Sequence, residues 1–164
     1  KVYKVKEVDT HGGSLRVYAT KNKNKRMHKS VSQYVEIEKK NKLDKYSTYL
    51  EFAKKVQDTK FKSLEMINKI KLEDKKIIGF GAPAKATTIL NYFGLGEKDF
   101  LFTIDENTLK QNKFIPGTGI QIKSVDDINP NDYDYVLVLA WNFFDVIKKK
   151  NKKTFENSQF IKLK

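Results

Sequence analysis

One stretch of the chain decides its fold: residues 75–105, which read KKIIGFGAPAKATTILNYFGLGEKDFLFTID. Residues 75–80, whose apolar residues begin at Ile77, predict a β-strand, and a glycine turn follows it directly. Residues 84–93 repeat apolar side chains at helical spacing, and residues 100–105 predict a second strand. Strand, turn, helix and strand in this order predict a parallel α/β sheet whose strands are joined by right-handed crossovers.

The rest of the carboxyl-terminal half continues this alternation. Residues 126–128 predict a short helix, residues 133–140 a strand, residues 143–149 a helix and residues 159–163 a last strand. The sequence YVLVLA at residues 135–140 is apolar throughout, which is typical of a strand buried on both faces. We therefore predict an α/β fold, with a Rossmann-like parallel sheet and flanking helices.

The first part of the chain follows a different pattern. Residues 1–28 predict a β-hairpin that turns at Gly12-Gly13, and residues 29–74 predict a helical connector. A hairpin of two strands is only marginally stable alone, so we expect it to be the tail of another domain's sheet. The predicted division is therefore a hairpin at 1–28, the connector at 29–74 and a Rossmann-like domain at 75–164.

The composition excludes several classes of site. The chain has no cysteine and only two histidines, so we expect no disulfide, no thiolate ligand and no bound metal. No apolar run is long enough to cross a bilayer, and the first residues lack the apolar core of a signal peptide. We therefore expect no membrane partner and a cytoplasmic location.

The net charge of +13 raises the question of nucleic acid binding. Apart from Arg16 and Arg26, however, every basic residue other than histidine is a lysine, and the lysines are spread through nearly every segment. Base recognition usually relies on arginine and on a concentrated basic patch. We therefore expect no nucleic-acid partner.

The turn after the first predicted strand has the spacing G-x-G-x-x-A, in the sequence GFGAPA at residues 79–84. In such a turn the backbone near Gly81, Ala82 and Ala84 can approach a ligand phosphate. An acidic residue at the end of the next strand usually contacts a ribose, and Asp105 stands at that position. The pattern predicts a ligand of the nucleotide type.

Two residues depart from a conventional dinucleotide site. Pro83 removes one backbone N–H from the turn. Lys85 places a cation in the first turn of the helix, where the helix dipole disfavours it unless an anion is bound. A phosphate contact and a solvated surface lysine explain Lys85 equally well.

Other candidate ligand contacts lie in loops. The loop at residues 110–120 begins with Lys110 and contains Pro116-Gly117-Thr118, and it follows the strand that ends at Asp105. Trp141-Asn142 directly follows the strand at 133–140. Because open parallel sheets bind ligands at the carboxyl ends of their strands, we expect both segments near the site.

The predicted hairpin carries one more candidate segment. His11-Gly12-Gly13-Ser14 brings together an imidazole, backbone amides and a hydroxyl, and Arg16 follows. Nucleophilic catalysis would need a third residue that orients the histidine, and the sequence has no G-x-S-x-G elbow. We therefore predict that His11, Ser14 and Arg16 contact a ligand, and we assign no catalytic residue.

Taken together, these segments resemble the C-terminal region of the S-adenosylmethionine-dependent sugar C-methyltransferases. Five blocks carry the resemblance in order along the chain: HGGSLRVY at 11–18, GFGAPAK at 79–85, DEN at 105–107 with KQ at 110–111, PGT at 116–118 and WN at 141–142. The family usually continues its GAPAK block with Gly-Asn-Thr, where this chain has Ala86-Thr87-Thr88.

The resemblance implies a reaction at a carbon of a nucleotide-linked keto-deoxysugar. A base removes the proton next to the ketone, and the enolate carbon attacks the methyl group of S-adenosylmethionine. Enzymes of this family carry an N-terminal zinc domain, a central domain for S-adenosylmethionine and a Tyr-x-Glu-His acid/base segment before the His-Gly-Gly-Ser block. None is present, so the resemblance implies that zinc and S-adenosylmethionine bind to upstream domains of the same polypeptide and that this fragment alone is inactive.

The resemblance also implies that the chain forms one wall of the nucleotide-sugar cleft. The residues that we expect to contact substrate are His11, Ser14, Arg16, Gly81, Ala82, Ala84, Lys85, Asp105, Lys110, Pro116, Gly117, Thr118, Trp141 and Asn142. Two other functions stay open at this point. One is a stand-alone module that binds NAD or S-adenosylmethionine without catalysis, and the other is a domain with a purely architectural role.

Overall fold

The computed structural model describes residues 1–163, and of His11 it describes the backbone alone. The chain divides into two compact units, the first being Lys1–Val56 and the second beginning at Gln57. The boundary between them falls inside one long helix, Tyr46–Leu72. The predicted division of the chain at residues 28 and 74 stays a prediction.

The first unit contains the predicted hairpin. Strands β1 (Val2–Val8) and β2 (Ser14–Ala19) pair antiparallel, and a 3₁₀ turn at Thr10–Gly12 joins them. Helix α1 (Ser30–Lys40) follows, and helix α2 begins at Tyr46. The predicted hairpin and the helical character of the segment after it are confirmed.

This unit buries little apolar surface by itself. In the part of the unit that the structure describes, no large apolar side chain is buried, and Val17, Ile37 and Tyr49 are each exposed. The start of α1 is instead tied to the hairpin by a hydrogen bond of 3.0 Å, in which the Val5 N–H donates to the Ser30 hydroxyl. That this hairpin belongs to the sheet of another domain stays a prediction.

The second unit is built on a parallel sheet of five strands. They are β3 (Ile77–Phe80), β4 (Thr103–Ile104), β5 (Ile122–Lys123), β6 (Tyr135–Val138) and β7 (Gln159–Ile161), in the spatial order β5-β4-β3-β6-β7. All neighbouring pairs are parallel. The predicted α/β fold with a Rossmann-like parallel sheet is confirmed, with β5 as a strand that the sequence pattern did not predict.

Helices cover both faces of this sheet. Helix α3 (Ala84–Phe93) has the predicted bounds and ends at Gly94, whose positive φ of 76° closes the helix in the left-handed conformation. Helix α4 (Phe144–Asn151) follows β6. The core on the side of α2 and α3 includes Ile67, Leu90, Phe93, Ile120 and Leu137, and the core on the side of α4 includes Ile78, Ile104, Val136, Phe155 and Phe160.

The strand order creates a crevice at one place. Strands β4 and β5 are added to one side of β3, whereas β6 and β7 are added to the other side. In open α/β sheets ligands bind where the order reverses, outside the carboxyl ends of the strands. In this unit that place lies between the ends of β3 and β6.

No described helix of the chain is both long and apolar enough to cross a membrane. The cytoplasmic location expected from the sequence stays a prediction.

Asp134 fixes the amino ends of β3 and β6 to each other. Its carboxylate accepts hydrogen bonds from the Lys76 N–H and from the Lys75 ammonium, each at 2.9 Å. These two donors, the backbone N–H first, lower the pKa of Asp134 below its usual 3.8. A lowered carboxyl pKa stabilises the fold at pH values above 3.8, and this stabilisation is lost as the pH falls through the pKa of the folded state.

We expect Asp134→Asn to lower the free energy of unfolding at pH 7 by about 1 kcal/mol or less, because the pair with Lys75 is partly exposed. The deficit should shrink as the pH falls below 4 toward the lowered pKa of Asp134 in the folded state. Denaturant unfolding at pH 7 and pH 3 measures both effects, with the exposed Asp58→Asn as control. A deficit of equal size at the two pH values would contradict this role.

Candidate functional site

Asp105 organises the turn that follows β3. Its Oδ2 accepts a hydrogen bond of 2.7 Å from the Ala82 N–H, and its Oδ1 accepts one of 2.9 Å from the Asn107 N–H. The Lys110 ammonium lies 3.3 Å from the same Oδ2 and donates to the Ala82 carbonyl at 3.0 Å. Gln111 Nε2 donates to the Asp105 carbonyl at 3.0 Å. The structure thus brings Ala82, Asp105 and Lys110 together in one network.

This network bears on the kind of ligand that the glycine turn can hold. In a dinucleotide site the acidic residue at the end of the second strand accepts hydrogen bonds from a ribose. Here both oxygens of Asp105 already accept hydrogen bonds from the chain, and the Ala82 N–H points to Asp105. A ribose at this position would therefore have to share the carboxylate of Asp105 with the Ala82 and Asn107 N–H groups and with the Lys110 ammonium.

Lys85 and Trp141 meet at the crevice between β3 and β6. Lys85 lies in the first turn of α3, and Trp141 begins the 3₁₀ turn after β6, which also holds the exposed Asn142. The Lys85 ammonium lies 4.5 Å from the centre of the Trp141 ring. The face of an indole ring attracts a cation, which offsets the unfavourable effect of the helix dipole on Lys85.

The Lys85 ammonium remains available to an anion. Among the residues that the structure describes, no carboxylate forms an ion pair with it. No side chain caps α3, and no acidic residue stands in its first turn. The start of this helix, beginning at Ala84, is therefore a positive end with a fixed cation beside it.

The Pro116-Gly117 turn lies at the opposite end of the sheet from Lys85. Asn91 Nδ2 donates to the Pro116 carbonyl at 2.9 Å, and Asn91 is almost two turns after Lys85, about 9 Å along the helix. The loop begins at the carboxyl end of β4 as expected. The second half of the loop then pairs antiparallel with its first half, through Phe114 and Gln121. Because of this pairing, the Pro116-Gly117 turn lies away from the carboxyl end of β4.

Thr118 belongs to the same end of the sheet. Its carbonyl accepts a hydrogen bond of 3.2 Å from the Glu97 N–H, in the connection that leads into β4. Its buried hydroxyl donates to the Ile115 carbonyl at 2.9 Å and accepts from the Ile120 N–H at 3.2 Å. The structure therefore does not bring Pro116, Gly117 and Thr118 together with Lys85.

The candidate residues of the hairpin belong to the first unit. The Ser14 hydroxyl donates to the Thr10 carbonyl at 3.0 Å and so closes the turn between β1 and β2. Arg16 is exposed and stands directly opposite Lys6 in the strand register. The contact of Arg16 with a ligand stays a prediction. The side chain of His11 lies outside the described residues.

Two adjoining cavities lie at the carboxyl ends of the strands in the second unit. One, of about 290 Å³, extends from Ile104 past Gln111 to Ser124 at the end of β5. The other, of about 310 Å³, lies between Gly81 and α4. Both are lined by Phe80, Asp105, Glu106 and Asn151. In the described part of the chain, no three histidine or acidic side chains are grouped so that they could hold a metal ion.

The model of a protein family described as the C-methyltransferase C-terminal domain matches residues 9–163. The chain belongs to this family. The C-methyltransferase NovU of Streptomyces niveus is 31% identical over 158 residues, which are 96% of this chain. The same match covers 38% of the length of NovU, so the chain spans well under half of that relative.

Family membership confirms the resemblance noted in the sequence. The match to the C-methyltransferase C-terminal domain begins before the His-Gly-Gly-Ser block and continues beyond Trp141, so it includes every candidate residue named above. The match does not assign the activity, substrates or partners of a whole enzyme to this chain, because most of NovU lies outside the match.

Sequence reasoning missed one residue that shapes the site of this C-methyltransferase domain. Thr103 is fully buried in β4, and its hydroxyl donates to the Gly81 carbonyl at 3.0 Å. A polar residue between Phe102 and Ile104 in a buried strand was the available signal, because a buried hydroxyl needs a hydrogen-bond partner. Thr103 and Asp105 hold the two sides of the turn at Gly81 and Ala82.

Proposed function

We propose that the chain is the C-terminal part of an enzyme that transfers a methyl group from S-adenosylmethionine to a carbon of a nucleotide-linked deoxysugar. We further propose that the crevice between β3 and β6 contacts the diphosphate of that substrate. The family supports methyl transfer to carbon, since both the family description and the name of the relative state a C-methyltransferase. The sugar nucleotide and the methyl donor are parts of the proposal.

One observation carries the assignment of the diphosphate: the Lys85 ammonium is held over Trp141 beside the start of α3. A fixed cation and the amides of a helix start together favour a phosphate group. The crevice lies where parallel sheets bind ligands. Lys85 and the amide of Ala84 are the proposed contacts, with Gly81 allowing close approach and with Asn142 as a further candidate.

The proposed domain holds the substrate and leaves the methyl donor to an upstream domain. S-Adenosylmethionine would supply the methyl group that an enolate carbon attacks. The carboxylate of Asp105, which would contact a ribose of the donor, is engaged with Ala82 and Lys110 in this chain, so we place the donor elsewhere in the polypeptide. The acid/base residues and any zinc site would belong to those upstream domains as well.

A transfer assay with the full-length enzyme tests this function. The enzyme receives S-adenosylmethionine with an isotope-labelled methyl group, together with either a nucleotide-linked keto-deoxysugar or the same sugar as its 1-phosphate. We expect label on a ring carbon of the nucleotide-linked sugar, and at least tenfold slower labelling of the sugar phosphate, because that acceptor lacks the nucleoside and one phosphate. Equal labelling of the two acceptors, or label on oxygen, would contradict the proposal.

A further inference from the structure

The chain covers one edge of the parallel sheet with its own backbone. At the β5 edge the Ile122 N–H donates to the Lys113 carbonyl at 2.7 Å, and the Asn112 N–H donates to the Ile122 carbonyl at 2.8 Å. At the other edge, in the part of the chain that the structure describes, β7 pairs with β6 alone. An uncovered edge strand offers its free backbone groups to another strand.

The free backbone groups of β7 belong to Phe160 and to Lys162, which directly follows the strand. The Gln159 N–H donates to the Asp134 carbonyl at 2.8 Å, so the backbone of Gln159 faces β6. Backbone groups alternate in direction along a strand, and those of Phe160 and Lys162 therefore face away from β6. Among the described residues, none accepts a hydrogen bond from either N–H. The edge can thus pair with a further strand.

A groove of about 820 Å³ lies beside this edge, between β7 and the part of α2 that belongs to the second unit. Met66, Tyr135 and Ile161 line it and are only half-buried. Four exposed charged side chains of α2 also line it: Lys62, Glu65, Lys69 and Glu73. Within the described residues, none of these four forms an ion pair. A partner that covers the groove therefore needs apolar surface and charges of both signs.

The four charges that line the groove are self-complementary. From Lys62 to Glu73 they alternate as positive, negative, positive and negative, so the same helix in the reverse direction has the opposite sign at each place. A two-fold axis perpendicular to the sheet sets α2 antiparallel to its copy. Glu65 then faces Lys69 of the second copy, and Lys62 faces Glu73 of the second copy. Such complementary charges favour one orientation of the two partners.

We infer that the open edge and the groove form a two-fold interface with a second copy of this chain. In this interface β7 pairs antiparallel with its copy, and Phe160 and Lys162 of the second copy exchange N–H···O=C hydrogen bonds. This register keeps the two Lys162 side chains apart and places Ile161 beside its own copy on the groove side. The inference does not depend on the proposed function.

Sedimentation equilibrium of the full-length enzyme tests this interface. We expect wild type to be a dimer at roughly 0.1 mM, a concentration that reveals even a micromolar Kd. Lys162→Pro removes the outward N–H at a position where an edge strand tolerates proline. It should raise the Kd of the dimer about tenfold or more, because it removes one hydrogen bond from each side of the axis.

The matched control is Lys162→Ala. It removes the same side chain, whose ammonium lies 5.2 Å from the centre of the Phe144 ring, but it keeps the N–H. It should change the Kd of the dimer by less than about threefold, since the side chain of an exposed lysine contributes little. An equal loss of dimer in Lys162→Pro and Lys162→Ala would overturn the pairing of β7 with its copy.

A charge exchange on α2 is a second test that leaves β7 unchanged. Glu65→Lys should raise the Kd about fivefold or more, because it places two lysines opposite each other on both sides of the axis. Adding Lys69→Glu to this variant should restore most of the affinity, because opposite charges then face each other again.

Three results would overturn the inference. The first is a wild-type enzyme that stays monomeric at roughly 0.1 mM, as expected if another part of the polypeptide covers the edge. The second is a dimer whose Kd is unchanged in Lys162→Pro, since its interface would lie elsewhere. The third is a double variant of Glu65 and Lys69 that dimerises no better than Glu65→Lys alone.

Discussion

Gly79→Ala is expected to lower the free energy of unfolding by about 3 kcal/mol. A Cβ at this position would lie 2.7 Å from Thr103 Oγ1 and 2.8 Å from Thr103 Cβ. Thr103 cannot shift easily, because its N–H donates a hydrogen bond to the Gln121 carbonyl and its hydroxyl donates one to the Gly81 carbonyl. The substitution therefore either forces β3 and β4 apart or breaks the hydrogen bond to Gly81. Denaturant unfolding measures the loss.

Gly94→Ala is the informative control for this prediction. Gly94 has a positive φ of 76°, yet a Cβ there would meet nothing within 4 Å. Its substitution should cost only the strain of a left-handed residue, about 1–2 kcal/mol. If Gly94→Ala destabilised the protein as much as Gly79→Ala, the close contact between Gly79 and Thr103 would not be the reason for glycine at residue 79.

Asp105→Ala is expected to lower the free energy of unfolding by about 2–3 kcal/mol and to make the turn after β3 open more often. The truncation removes the acceptor for the Ala82 and Asn107 N–H groups and the partner of Lys110 at once. Asp105→Asn should destabilise the protein less than Asp105→Ala does. It should still be less stable than wild type, because the amide nitrogen of asparagine is a donor and would face the Ala82 or the Asn107 N–H group, which are donors too. Unfolding by denaturant and hydrogen exchange at the Ala82 amide measure the stability and the local opening.

The adjacent Glu106→Ala provides the comparison. Glu106 pairs with Lys150, but the Glu106 side chain is 62% exposed, so its removal should change the free energy of unfolding by about 0.5 kcal/mol or less. A loss for Asp105→Ala as small as that for Glu106→Ala would show that the network does not hold the turn.

The elements of the second unit could be predicted where local signals coincide. Helix α3 was predicted with its observed bounds because the glycine turn precedes it and Gly94 ends it. Strand β6 was predicted because six apolar residues follow one another at 135–140. Strand β5 was missed because it has two residues, and only its pairing with β4 defines it. A pairing between distant residues leaves no local pattern in so short a segment.

The sequence predicted which residues lie at the ends of strands better than it predicted what each of them contacts. Lys85 and Trp141 were chosen because they follow two strands, and the sheet brings them together. The Pro116-Gly117 turn follows a strand as well, but the antiparallel pairing inside its loop places it at the end of the sheet away from Lys85. The partners of Asp105 depend on where Lys110 and Ala82 lie in space, which residue spacing does not reveal.

We propose that this domain contacts the diphosphate of a sugar nucleotide while S-adenosylmethionine binds elsewhere. Two calorimetric titrations of the full-length enzyme test it, one with the nucleotide-linked sugar and one with S-adenosylmethionine. The variants are Lys85→Ala, Lys85→Arg and, as control, Lys98→Ala, which changes an exposed lysine before β4.

We expect Lys85→Ala to weaken the binding of the nucleotide-linked sugar by roughly tenfold or more, equivalent to about 1.4 kcal/mol. Lys85→Arg should retain most of the affinity, because arginine keeps the charge and also stacks on an indole ring. Lys98→Ala should bind both ligands as wild type does, and S-adenosylmethionine should bind all variants equally. Unchanged binding of the nucleotide-linked sugar by Lys85→Ala, or an equal loss for S-adenosylmethionine, would contradict the account.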